Sequence, residues 1–128
     1  ETIEDNLRIA KPDATQEEIE AACRMASVHE FILSLPDGYK TRVGALGDNL
    51  SAGEKQRIGL ARAFLRGSEW ILLDEPTSNV DSINEGIILK ALQEQKRKKS
   101  ILLVSHREST MAIADRIYRV KDGRMAEI

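Results

Sequence analysis

Two short apolar runs constrain this chain most: Trp70-Ile71-Leu72-Leu73, ended by Asp74-Glu75-Pro76, and Ile101-Leu102-Leu103-Val104, ended by Ser105-His106. Neither alternates between polar and apolar, which is the pattern of strands covered on both faces in a parallel sheet. Between them, Asp81 or Ser82 can cap a helix running through Lys98, with Ile83, Ile87 and Ala91 spaced by four. After them, Glu108–Ala114 reads as a short helix. Residues 117–120 and 124–128 read as a hairpin turning on Asp122-Gly123 in a type I′ turn. The second half therefore alternates strand and helix, and the fold class is α/β.

The first half carries helical signals instead. Residues 1–14 are polar and read as irregular, with a turn at Pro12-Asp13. Thr15-Gln16-Glu17-Glu18 has the form of a capping box, and Ile19, Ala22, Cys23 and Ala26 follow on one face of the helix it opens. Phe31, Ile32 and Leu35 extend an apolar surface up to the stop at Pro36-Asp37-Gly38. Residues 39–50 read as a loop with glycines at 44 and 47. A helix from Ala52 to Arg66 buries Ile58, Ala61, Phe64 and Leu65 and is ended by Gly67.

Composition narrows the function classes. A net charge of −2 gives no nucleic-acid-coating surface. The run Lys96-Arg97-Lys98-Lys99 is better read as cations favoured at a helix C-terminus. The single Cys23 cannot form an internal disulfide and is expected in the core of a protein from a reducing compartment. No apolar stretch approaches the roughly 20 residues of a membrane span. Position 1 is Glu rather than Met, so a piece of a longer protein is expected.

The chemistry concentrates at element ends. Asp74 and Glu75 close a strand where α/β sheets bind ligands, with Asp74 suited to hold Mg²⁺ through water and Glu75 turned to face an attacking water. Alone, they are equally readable as the start of a surface turn. Ser51-Ala52-Gly53-Glu54 combines a serine hydroxyl, a glycine and free amides at a helix start, which suits an anion, and it also fits a plain capping box. His106 is either a strand-end hydrogen-bonder or a participant. Asp81 is at least an N-cap, His29 is assigned to surface or packing, and Asn49-Leu50-Ser51 matches the N-glycosylation pattern by coincidence.

In order and spacing, these stretches resemble the nucleotide-binding domain of ATP-binding cassette (ABC) transporters. Residues 50–57 resemble the signature motif, and residues 70–75 the Walker B strand with its catalytic glutamate. Ser78-Asn79-Val80-Asp81 resembles the D-loop, and Ser105-His106-Arg107 the switch-histidine loop. Residues 2–7 with 11–15 are similar to the segment after the Q-loop in exporter-type members, and residues 31–47 are similar to exporters as well. The resemblance thus covers essentially the whole chain, as the C-terminal portion of the domain. It implies a partial P-loop NTPase fold: a helical signature subdomain over 1–66, its 41–47 loop facing a membrane domain, then the C-terminal part of the RecA-like core over 67–128.

By that resemblance, Ser51, Ala52, Gly53, Glu54 and Asp81 touch nucleotide or interface, Asp74 holds Mg²⁺ through water, and Glu75 and His106 are catalytic. ATP and Mg²⁺ are the implied substrate and cofactor. The implied partners are a second nucleotide-binding domain and a transmembrane domain, with no nucleic acid, and the location is the cytoplasmic face of a membrane. Alternatives are a soluble ABC-type ATPase of DNA repair, an importer ATPase subunit, or an interaction module without catalysis. Departures are Ala52 where the family has glycine and Glu54 where it has glutamine. No Gly-x-x-x-x-Gly-Lys-Ser/Thr loop occurs, so the chain by itself is expected to be inactive, and unpaired sheet edges are expected to make it self-associate.

Overall fold

A computed structural model of the chain describes residues 1–46 and 50–128. Gly47 and Asn49 lie outside the described residues. The elements in order are α1 (Ile3–Arg8), α2 (Gln16–Met25), α3 (His29–Ser34), a 3₁₀ turn (Gly38–Lys40), α4 (Val43–Leu46) and α5 (Ala52–Leu65). They continue with β1 (Trp70–Asp74), α6 (Ser82–Gln95), β2 (Ser100–Val104), α7 (Glu108–Met111), β3 (Tyr118–Lys121) and β4 (Arg124–Glu127).

The expected irregular segment 1–14 contains a helix. In α1, Thr2 Oγ1 accepts from the Asp5 N–H at 3.1 Å and Asp5 Oδ2 accepts from the Thr2 N–H at 3.0 Å, a complete capping box with Asp in place of the usual Glu. Ile3 and Leu7, four apart, are fully buried. The backbone of α1 is pinned from outside as well: the Ile3 N–H donates to the Thr41 carbonyl and the Val43 N–H to the Glu1 carbonyl, both at 2.9 Å. Those bonds order part of the expected 39–50 loop, which contains the 3₁₀ turn and α4.

At α2 the expected capping box forms, with Thr15 Oγ1 accepting from Glu18 N–H at 3.1 Å and Glu18 Oε1 accepting from Thr15 N–H at 3.0 Å. Such a cap stabilises by about 1 kcal/mol. Its apolar face buries Ile19, Ala22, Cys23 and Ala26 against α5, as the spacing predicts. Burial pushes the Cys23 thiol up to about 11, so it is an inert core group. His29 is buried too, and its Nδ1 lies 2.7 Å from the Tyr39 hydroxyl, which makes it a packing residue.

In the second half, β1 and β2 pair in parallel from Trp70↔Ser100 to Asp74↔Val104. A parallel pair needs a crossover, and α6 supplies it. Ile88, Ala91, Leu92 and Gln95 form the buried side of α6, which ends at Gln95 rather than Lys98. Of the residues spaced by four, Ile83 is exposed, Ile87 is half-buried and only Ala91 reaches the core. The expected hairpin is present, with Asp122 at φ 53° and Gly123 at φ 74°, the pair of positive angles that a type I′ turn requires.

The sheet departs from expectation in one respect. Ile71 is buried and Leu73, Ile101 and Leu103 pack against the core on the α6 side. On the opposite face Trp70 and Leu72 are 70% and 67% exposed, and Leu102 and Val104 are exposed beside them. Continuous apolarity here marks strands built for two covers, of which the described residues provide one.

Two outcomes follow. Lys11 bonded to Glu18 and the Thr15 amide hold the Glu18 carboxyl at about 2, below its ordinary 4.5, so its stabilisation is complete above pH 4.5 and is lost as pH falls toward about 2. Thermal melts across that range should fall more steeply for the unmodified chain than for Glu18→Gln; parallel curves would refute the linkage. The uncovered sheet face should drive self-association of the 128-residue chain, read by light scattering as mass rising above 14.3 kDa with concentration and suppressed by Leu72→Lys with Leu102→Lys. A monomer at high concentration would contradict this.

Candidate functional site

The parallel register forces the functional residues to one end. Asp74 and Val104 are paired at the C-terminal ends of the two strands, so the segments leaving both strands emerge side by side. Asp74 is exposed there. Glu75 follows at φ 49°, in the left-handed region that costs a non-glycine residue about 1–3 kcal/mol. Its N–H still donates to the Val104 carbonyl at 2.8 Å. The twist at Glu75 thus redirects its side chain without breaking the strand pairing.

That side chain meets His106. Glu75 Oε1 lies 3.7 Å from His106 Nε2, the carboxylate side chain being 30% and the imidazole 96% exposed. The imidazole is therefore not buried in the strand end, and Glu75 is the acidic group it faces. The pair sits beyond direct hydrogen-bond length and faces solvent, a geometry that leaves both groups available to a third species.

The second cluster lies at the starts of α5 and α6. Ser51 caps α5, its Oγ accepting from the Glu54 N–H at 3.3 Å. The reciprocal bond that a capping box would have from the Glu54 carboxylate is not formed, in contrast to α1 and α2. Glu54 therefore lacks the capping role that its spacing suggests. Asp81 caps α6, accepting from Asn84 N–H at 2.7 Å and Asn84 Nδ2 at 3.0 Å. These bonds, the backbone one first, hold the Asp81 carboxyl below the usual carboxylate range. Gly53 is buried against Asn84.

Ala52, Lys55, Gln56, Ser78 and Asn79 line a shallow depression of about 220 Å³ where α5 meets the turn after β1. Gln56 Nε2 donates to the Ser78 carbonyl across it at 3.5 Å. Asn79 stands at φ 61°, which asparagine tolerates better than most residues. On the other side, Arg107 reaches Glu85 at 2.6 Å, tying the His106 segment to the first turn of α6.

Of the residues that connect the two clusters, Gln56 and Arg107 fall within stretches singled out in the sequence, whereas Asn84 and Glu85 do not. The available signal was position: Asn84 and Glu85 lie in the turn capped by Asp81, and Arg107 adjoins His106. Among the described residues no group of three or more His, Cys, Asp or Glu could hold a metal ion. Asp74 alone fits Mg²⁺ only as that ion is commonly bound by proteins, through one or two carboxylates with water and phosphate oxygens completing the shell.

Comparison with known proteins supplies the context. A family model described as "ABC transporter" matches residues 1–78. A probable ABC transporter ATP-binding/permease protein of Haemophilus influenzae is 61% identical over 126 residues, which are 98% of this chain and 23% of that protein. The putative multidrug export ATP-binding/permease protein YgaD of Bacillus subtilis is 46% identical over 128 residues, 100% of this chain and 22% of that one. A solved bacterial Atm1-family ABC exporter with ATP bound superposes with a TM-score of 0.85 at 36% identity, over 98% of this chain and 22% of the other. The chain thus spans less than a quarter of the length of these relatives. It belongs to the ABC transporter family, as part of an exporter-type nucleotide-binding domain.

Proposed function

We propose that this chain supplies the signature, Walker B, D-loop and switch-histidine parts of an ATPase that powers export across a membrane. The observation that carries the reading is the Glu75–His106 pair at the end of β1, beside Asp74. In this reading Asp74 holds Mg²⁺ through water, and the ion offsets phosphate charge when bound. Glu75 takes the proton of, or orients, the attacking water. His106 contacts the terminal phosphate.

Ser51, Ala52, Gly53 and Glu54 present the N-terminal amides of α5, where a 14-residue helix favours an anion, to ATP held by a second nucleotide-binding domain. Asp81 communicates across the same interface. Charge stabilisation and positioning do the work, completed when the two domains close. A transmembrane domain in the same protein and a place at the cytoplasmic face of the membrane belong to this reading, which the ATP-binding/permease names of the relatives support. No described helix is long and apolar enough to cross a membrane. The exporter and multidrug-export names of the relatives favour this reading over an importer subunit or a DNA-repair ATPase.

In the full-length protein containing this chain, Glu75→Gln should lower steady-state ATP turnover by about 10²–10⁴-fold while ATP binding persists. Turnover at the unmodified rate would remove Glu75 from its role. The 128-residue chain alone should give no saturable heat when titrated with MgATP by calorimetry, because it has no Gly-x-x-x-x-Gly-Lys-Ser/Thr loop to cradle phosphates. A saturable isotherm would show that the 128-residue chain suffices for binding, contrary to this reading.

A further inference from the structure

Asn84 belongs to none of the motifs, yet it touches two of them. Its backbone N–H and its Nδ2 both bond to Asp81 Oδ1, at 2.7 and 3.0 Å. Its carboxamide also lies against Gly53 of α5. A Cβ at position 53 would stand 2.2 Å from Asn84 Cγ, 2.3 Å from Oδ1 and 2.7 Å from Nδ2. Real Cβ atoms do not approach so closely, so Asn84 occupies the space that any side chain at 53 would need.

A side chain at 53 would therefore have to push the Asn84 carboxamide aside and break its Nδ2 bond to Asp81, independently of any ligand. The N-terminal part of α5 and the turn before α6 are joined a second time by Gln56 Nε2 and the Ser78 carbonyl. Neither link is backbone pairing. Both are side-chain contacts, which substitution can remove while the helices remain.

We propose that Asn84 is a positioning residue that fixes Gly53 and Asp81 as one rigid unit, so that the start of α5 and the Ser78–Asp81 turn approach nucleotide together. This rests on the nucleotide reading above. The amide nitrogen holds Asp81 and the carboxamide plane sets how near α5 can come. An ångström of misplacement in such a site is enough to cost about 10²-fold in rate.

The test is a double-mutant cycle in the full-length protein, with ATP turnover and melting temperature read for Gly53→Ala, Asn84→Ser and the pair. Serine retains a hydroxyl donor for Asp81 and vacates the volume beside position 53. Gly53→Ala should lose about tenfold or more in kcat, and the pair should recover to within about threefold of Asn84→Ser alone. If Gly53→Ala does not fold, the proposal is read from Asn84→Ser alone, which should lose kcat at an unchanged melting temperature. Losses that multiply, or a pair that also fails to fold, overturn it. A contact that serves packing alone would leave the kcat of Asn84→Ser at the unmodified value, and that outcome also overturns the proposal. Glu75→Gln in the same protein separates the two levels: if it is inactive and no rescue occurs, only the role of Asn84 falls, whereas if it stays active the nucleotide reading falls and takes the proposal with it.

Discussion

The parallel pairing of β1 with β2 is the constraint on which the site depends. Two strands running the same way cannot be joined by a tight turn, so the chain must return over one face of the sheet, and α6 is that return. A helix entered from the end of β1 starts at the same edge where both strands finish. Asp74, Glu75, Asp81 and His106 are therefore gathered by topology, before any side chain interacts. The start of α6 then reaches α5 through Asn84 and the His106 segment through Glu85 and Arg107.

Packing energetics support that arrangement from the helical side. α5 lies against α1, α2 and α6, and its buried Ile58, Leu60, Ala61, Phe64 and Leu65 join core residues of both halves in one cluster. Each large apolar side chain so buried contributes about 1.5–3 kcal/mol. The start of α5 is in this way anchored along its length, while Ser51 and Ala52 at its tip remain exposed. A rigid shaft with an open end is what a site on helix amides requires.

Most of this was legible in the sequence where one physical signal acted alone. The α2 face, the two strands and the hairpin turn each follow from periodicity or from a turn that demands positive φ. Reading failed where tertiary contacts overrode local pattern. α1 is only six residues and is held by backbone bonds to residues 41 and 43, which no window of neighbours can reveal. In α6 the stripe spaced by four from Ile83 shares Ala91 with the buried side, and only tertiary packing selects Ile88 and Leu92 beside it. The candidate site residues stood out by type at element ends, and it was the resemblance of their order to ABC transporters that assigned them roles. Asn84 did not stand out, because an asparagine in a first helical turn looks like ordinary capping until the opposing glycine is seen.

Glu75 and Gly53 illustrate how the two kinds of information divide. Glu75 accepts an unfavourable backbone angle that asparagine or glycine would adopt more easily, and it gains a carboxylate directed at His106. Strain retained where a cheaper residue would serve the turn points to the side chain as the reason for it. Gly53 is the reverse case. Its lack of a side chain suggests a ligand, but the space is filled by Asn84 of the same chain. Both readings can be true together, since a residue squeezed between a helix and a ligand is restricted from either side. The consequence is that glycine at this position does not by itself measure how close a phosphate comes, whereas the start of α5, its serine cap and the uncapped Glu54 carboxylate do bear on the charge that a phosphate would meet.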